Sequence, residues 1–486
     1  KERPMNILDM IKKEQNYTLT ENGALALNST ENALVDLFAV SGALRGRSEE
    51  EIEMLFARAL SEDKQTAARL AFYTRDVRGG LGERRTGRIF FRYLAKYYPQ
   101  ILKKNIGLIS EYGRWDDVVD LLDILPEEAT EVIAKQLKED LFDMEKGQPV
   151  SLLAKWLPSV NTSSRETVRK ARLLAAKLQM SERTYRKTLA KLRSYLNVTE
   201  VNLSANDYGK ILYPQVPSKA MNNYRGAFLR NDKERFGEYL QKVNSGEEKI
   251  NASVLYPYDI VEKYLYGDVE NDPVLEAQWK ALPDYVEGEK RCLIMADVSG
   301  SMFGRPLATS VGLAIYFAER NKGPFAGRFM TFSARPELVE INGETLSEKI
   351  RYVKNADWQM NTDLEAAFSL VLRTAVKNKV KQEELPESII VITDMEFDRC
   401  VTGNDLFYDT MKEKYEAFGY QIPNIVFWNV RSAKSTYHAS FDRPGVQLAS
   451  GQSPVVFESL AKGVNMTPQE YMLSVLNSER YEPVTA

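Results

Sequence analysis

The chain has 486 residues, 44% of them apolar and 27% charged, with 65 basic against 68 acidic side chains. This excludes a disordered or collagenous chain, exceeds what one core usually supports, and argues against a uniformly basic nucleic-acid binder. A single histidine, His438, removes His-rich zinc sites and every scheme needing two imidazoles, and Cys292 and Cys400 have neither metal nor disulfide spacing.

No apolar run approaches the roughly 18 residues of a membrane span, and no charged-then-apolar leader pattern opens the chain. A soluble, cytoplasmic protein with no membrane partner is expected. From about residue 30 to 270 apolar residues recur at helical spacing, predicting helices over 32–40, 49–60, 63–74, 84–97, 104–112, 115–123, 129–145, 165–180, 181–196 and 235–243. Short polar turns join them, and Tyr213-Pro and Tyr256-Pro-Tyr read as rigid turns. With no strand to pack on, residues 20–285 are expected to form a helical-repeat domain, a ring or horseshoe of helical hairpins.

After residue 290 the period changes. Short Ile- and Val-rich runs at 291–296, 328–332, 389–393 and 425–430 alternate with helical stretches at 306–319, 364–377 and 405–418. That alternation predicts a doubly wound parallel sheet over 286–480, so the fold class is α plus α/β.

Two segments of the helical half concentrate basic charge. The first contains Arg75, Arg78, Arg84, Arg85 and Arg88 around Gly79-Gly80-Leu81-Gly82. Its backbone N–H groups and arginines are candidates to face a phosphate, although it lacks the Gly-Lys-Ser/Thr of a P-loop. The second, from Lys155 to Arg193, holds eleven Lys/Arg and two acids. Its leucines are spaced for a core, which leaves Arg169, Arg172, Arg183, Arg186, Lys187 and Arg193 on outward or groove faces, and Lys155, Arg165, Arg169, Lys170, Arg172, Arg183, Arg186 and Lys187 are the candidate RNA contacts, with Tyr185 and Tyr195 among them for stacking. Solvated helix faces are the competing reading. Trp115 and Trp156 read as packing anchors.

Parallel sheets place ligands beyond the carboxyl ends of their strands. There the sequence sets Asp297-Val-Ser299-Gly-Ser301, then Asn361-Thr362-Asp363, then Asp394. Oxygen ligands without histidine or cysteine suit Mg²⁺ or another hard divalent cation, with water and an outside anion completing the sphere. An ordinary hydrogen-bonded turn is the competing reading.

These residues resemble the metal-ion-dependent adhesion site of the von Willebrand factor type A (vWA) family. Asp297, Ser299 and Ser301 match its Asp-x-Ser-x-Ser element, Thr362 its threonine and Asp394 its last aspartate. The resemblance implies that the serines and threonine touch the metal and that the aspartates act directly or through water. Haloacid-dehalogenase-type phosphatases share a strand-end Asp, and Asp394-Met-Glu-Phe-Asp398 imitates a second element of theirs. Ser299, however, stands where they carry an acid/base.

A helical half followed by such a domain resembles the TROVE and vWA pairing of Ro-type RNA-binding proteins. It is more similar still to a related bacterial, viral and plant family. The recurring words are Asp76-Val-Arg-Gly-Gly-Leu-Gly-Glu-Arg-Arg85, Tyr112-Gly-Arg-Trp-Asp-Asp117, Lys155-Trp-Leu-Pro-Ser159, Val216-Pro-Ser-Lys-Ala-Met221 and Ile250-Asn-Ala-Ser-Val-Leu-Tyr-Pro257. The resemblance implies a non-enzymatic protein that grips single-stranded and structured non-coding RNA and docks partners through Mg²⁺. A protein-interaction scaffold that captures an acidic partner residue at the metal is the alternative.

Overall fold

The computed structural model describes residues 11, 15–267, 269–286, 291–331, 335–354, 363–398, 406–460 and 465–486. Its chain forms two compact units. One comprises residues 68–255, 273–281 and 479–486, the other 1–67, 256–272 and 282–478. The expected division at 285/286 is therefore not how the chain packs: an N-terminal stretch and residues 256–272 join the α/β unit.

Among its described residues the first unit contains helices and 3₁₀ turns and no strand. Serine caps start two of them. The Ser164 side chain accepts the Thr167 N–H ahead of helix Arg165–Lys177, and Ser181 accepts the Thr184 N–H ahead of helix Glu182–Tyr195. One core cluster is aromatic: Tyr213 packs 5.3 Å from Phe228 and 4.7 Å from Phe236, and stacks 5.6 Å from Tyr239. The short helix Pro273–Lys280 is stitched to it by Gln278, whose buried amide donates to the carbonyls of Ser218 and Asn251.

The other unit is built on a six-stranded sheet in the order β5-β4-β3-β6-β7-β8. The strands are β3 (Cys292–Ala296), β4 (Arg328–Thr331), β5 (Leu338–Glu340), β6 (Ser388–Thr393), β7 (Asn424–Asn429) and β8 (Val446–Ser450). A hairpin of β1 (Tyr17–Leu19) and β2 (Leu25–Leu27) precedes them. The sheet is mixed rather than wholly parallel, because β5 runs antiparallel to β4. Only residues 332–337 separate those two strands, too few for the crossover that parallel pairing needs.

Strand order reverses beside β3. From there β4 lies on one side, while β6, β7 and β8 extend on the other, all parallel to β3. Right-handed connections then place helix Arg305–Arg320 on one face and helices Leu364–Asn378 and Phe407–Ala417 on the opposite face. The switch point falls between β3 and β6, whose carboxyl ends carry Asp297 and Asp394.

Two close approaches depend on glycine. A side chain at Gly312 would meet Pro257 at 3.1 Å, and one at Gly42 would lie 2.5 Å from the Gly451 backbone. Pro257 itself opens helix Pro257–Tyr266, and Pro217 precedes helix Ser218–Asn231. Pro214 lies in the 3₁₀ turn Tyr213–Gln215, as expected, whereas Pro257, expected in a turn, starts a helix, where a missing N–H costs nothing.

Candidate functional site

Asp297 lies directly after β3 and is fully buried. Its Oδ1 accepts the Ser299 N–H at 2.8 Å and its Oδ2 accepts the Thr393 hydroxyl at 2.7 Å. Both oxygens are thereby oriented from the carboxyl ends of two adjacent parallel strands. Burial first, and the nearby Asp394 second, push the Asp297 carboxyl up to about 6.

The next turn brings the Ser299 and Ser301 hydroxyls to 3.1 Å from each other. Asp394 follows β6 and is also buried, with its Oδ1 accepting the Glu396 N–H. Met395 turns the chain away at φ 70°, an unfavourable conformation for a side-chain-bearing residue. It is held there by its N–H to Thr393 Oγ1 at 3.1 Å and by its carbonyl, 3.0 Å from the buried His438 ring.

The structure thus brings Asp297, Ser299, Ser301 and Asp394 to one end of adjacent strands. Thr362 lies outside the described residues, as does Cys400. Asp363 caps helix Leu364–Asn378 by accepting the Ala366 N–H. Outside the motif, Thr393 orients Asp297, and Arg431, just past β7, donates from Nη1 to the Ser301 carbonyl. The N-terminal hairpin reaches the third loop: Thr20 donates to the Phe397 carbonyl and the Glu21 N–H to Glu396, both in the α/β unit.

The first basic segment has a different role from the expected one. Arg75 is buried and paired with the equally buried Asp117, its Nε 2.8 Å from Oδ2. Arg88 bonds Asp117 Oδ1 at 2.7 Å and forms an ion pair with Asp116 at 2.9 Å, and Arg84 also pairs with Asp116. Within the glycine-rich turn the anion is internal. Asp76 accepts the N–H groups of Arg78 and Gly79, the guanidinium of Arg480 and the Tyr481 hydroxyl. Arg78 donates to the Glu111 carbonyl, and Arg85 is exposed. The expected phosphate cradle is therefore filled by the chain's own carboxylate.

The second segment is divided. Lys155 pairs with Glu200, and Arg193 is spent on the carbonyls of Ala154 and Leu157. Arg169 and Lys170 pair with Asp123 and Glu166, and Arg172 with Glu182, at the surface. An open cleft of about 340 Å³ is lined by Thr162, Ser163, Arg165, Val168, Arg169 and Arg172.

On helix Glu182–Tyr195, Tyr185, Leu189 and Leu192 face the core. Tyr185 is wholly buried, with its hydroxyl on the Pro158 carbonyl, so its ring is not a stacking surface. On the opposite side Arg183, Lys187, Lys191 and Tyr195 form one i, i+4 row, with Arg186 beside it, and all five are exposed. Among the described residues the four cations of that face have no carboxylate partner. Lys191 was missed in the sequence because its place in the row shows only once the core face is known. Trp115 is packed, and Trp156 lies under the Arg114 guanidinium at 4.8 Å.

The model of the family described as Domain of unknown function (DUF2828) matches residues 20–132 and 123–289, more than half of the chain. The chain belongs to that family. A second model, Domain of unknown function (DUF7788), matches residues 291–481 of this DUF2828 protein. A curated relative, the uncharacterized protein L728 of Acanthamoeba polyphaga mimivirus, is 29% identical over 515 residues, spanning 96% of this chain and 89% of the relative. Among solved structures, the Deinococcus radiodurans RO (RSR) protein superposes with a TM-score of 0.49 at 14% identity, over 90% of this chain and 100% of its own. No helix among the described residues is long and apolar enough to cross a membrane.

Proposed function

We propose that this DUF2828 protein is a non-catalytic RNA-binding protein. Its RNA-gripping surface is the exposed face of helix Glu182–Tyr195 together with the neighbouring arginine cleft. The observation that carries this reading is the row Arg183, Lys187, Lys191 and Tyr195: cations without carboxylate partners among the described residues, ending on an exposed aromatic ring. Spacing of about 6 Å along such a row suits successive phosphates, and the ring suits an unpaired base. The cleft arginines remain usable because exposed ion pairs are weak and screened by solvent, so a phosphate can displace their carboxylates. Arg75 and Arg88, held in buried pairs, are not part of the surface.

The oxygen-lined cup is proposed to take Mg²⁺ or a similar hard cation. Two buried carboxylates, with two hydroxyls converging to 3.1 Å and no nitrogen or sulfur ligand among the described residues of the motif, fit that ion. Ser299, Ser301, Asp297 and Asp394 would hold it, and it would supply an open position for an outside anion, such as an acidic residue of a partner protein. Recovery of RNA tests the main reading. Protein gently extracted from cells is expected to carry RNA that can be sequenced, and Arg183→Glu with Lys187→Glu is expected to empty it. Equal recovery from both proteins would remove the proposal.

A further inference from the structure

Beside the cup an aromatic wall is left uncovered. Phe303 is 75% exposed and Tyr266 45% exposed, although each is large and apolar enough to favour burial. Neither is there through looseness. The Tyr266 hydroxyl donates to the Gly304 carbonyl at 2.8 Å and accepts the Gly304 N–H at 3.0 Å, which clamps the turn that carries Phe303. Gly304 sits at φ 91°, a backbone conformation that glycine supplies without strain, and the chain passes straight into helix Arg305–Arg320. The two rings meet at 67° with centroids 5.5 Å apart, so they present a corner rather than a flat platform.

The same turn carries a cation. Arg431 is exposed and reaches the Ser301 carbonyl with one N–H, leaving the rest of its guanidinium at the mouth of the cup. A divalent ion balanced by the carboxylates of Asp297 and Asp394 leaves the Arg431 charge uncompensated, which calls for one further negative group.

From this juxtaposition we infer that the cup, Arg431 and the Phe303–Tyr266 corner form a single docking surface for a protein segment in which an acidic residue stands next to a large apolar one. The carboxylate meets the cation and Arg431, and the apolar side chain fills the corner. The corner, rather than the cation, then sets which acidic segments are accepted. This inference rests on the cup holding a cation. It favours a peptide over a nucleotide because a flat base needs a platform, whereas a branched or aromatic side chain fits a corner.

The test uses the full chain and a random twelve-residue peptide display library, selected with Mg²⁺ and with a chelator. Direct Mn²⁺ titration is run on the same samples. Wild-type protein is expected to enrich peptides that share an acidic residue adjacent to Phe, Leu or Trp, only with the cation. Phe303→Ala should bind Mn²⁺ unchanged yet lose that apolar preference, with at least tenfold lower enrichment. Arg431→Gln, which also keeps the fold independent of Phe303, should weaken all enriched peptides. Acidic peptides enriched equally on Phe303→Ala would overturn the corner while leaving the cup standing. Failure of Mn²⁺ binding in wild type would instead remove the cup, and the inference with it. Binding of a twelve-nucleotide uridine RNA that depends on Phe303, in place of peptide binding, would overturn the choice of occupant.

Discussion

Arg480 clasps Asp76 across 404 residues of sequence, its Nη2 2.6 Å from Oδ1 and its Nε bonded to Oδ2. The Asp76 carboxylate is wholly buried, and it also collects two backbone N–H groups and the Tyr481 hydroxyl. Residues 479–486 are fastened to the helical unit by this carboxylate, by the stacking of Tyr481 on Tyr112 at 5.7 Å, and by Asn105, which exchanges hydrogen bonds with the Thr485 backbone. Removing the carboxylate strands several donors, so Asp76→Ala is expected to cost about 2–4 kcal/mol, read from the urea midpoint of the helical unit. A loss below about 0.5 kcal/mol would show that the clasp is ornamental.

Arg88 separates structure from binding. It is mostly buried against Asp116 and Asp117. Arg88→Ala is therefore expected to lower stability by about 3 kcal/mol, as for a broken buried pair, while RNA affinity of the folded fraction changes less than twofold. Gly87→Ala belongs with it: the added methyl would sit 2.7 Å from Arg75 Cβ and force the buried pair apart. A large affinity loss in Arg88→Ala with normal stability would return the first basic segment to the RNA surface.

His438 makes stability depend on pH. The ring is fully buried against Phe397 and Phe427, and burial pushes its pKa down to about 4, below the ordinary 6.5. The unfolded chain takes up the proton first as pH falls. The histidine's stabilising contribution is thus complete above pH 6.5 and is lost on the way down through pH 4, by about 3 kcal/mol. Asp297, whose carboxyl is raised, titrates with the opposite sign over part of that range. The measurement is accordingly the difference in unfolding free energy between wild type and His438→Phe from pH 7 to pH 4. A difference independent of pH would contradict the assignment.

The cup gives a thermal prediction. Mg²⁺ at about 100 times its dissociation constant should stabilise the α/β unit by about 2.7 kcal/mol. Asp297→Asn and Ser299→Ala should abolish that increment without removing RNA binding. An identical increment in both variants would place the ion elsewhere.

Much of this arrangement was legible beforehand, and the exceptions share a cause. Helix Arg84–Tyr97 and strands β3, β6 and β7 follow the predicted spans closely, because apolar periodicity is a local signal. Asp297 and Asp394 were found because strand ends mark where a parallel sheet opens. What a linear reading could not see was pairing at a distance. Arg75 and Arg88 counted as excess charge until Asp117, 42 and 29 residues away, closed on them. The N-terminal hairpin has three-residue strands, too short for periodicity, and its contacts with Phe397 and Glu396 span more than 370 residues. Strand β8, Val-Gln-Leu-Ala-Ser, is as buried as β6 but lacks its continuous Ile/Val run, so nothing local marks it as a strand.

The salt dependence of RNA affinity tests the binding surface most directly. Each phosphate neutralised on a single strand contributes a slope of about −0.7 in log affinity against log salt. Wild type is expected to bind a single-stranded RNA with a slope of about −2 or steeper. Replacing Arg183, Arg186 and Lys187 together by Gln should flatten it by about 2, with affinity reduced at every salt concentration. A triple variant with unchanged slope and unchanged affinity would contradict the assignment of that helix face to RNA.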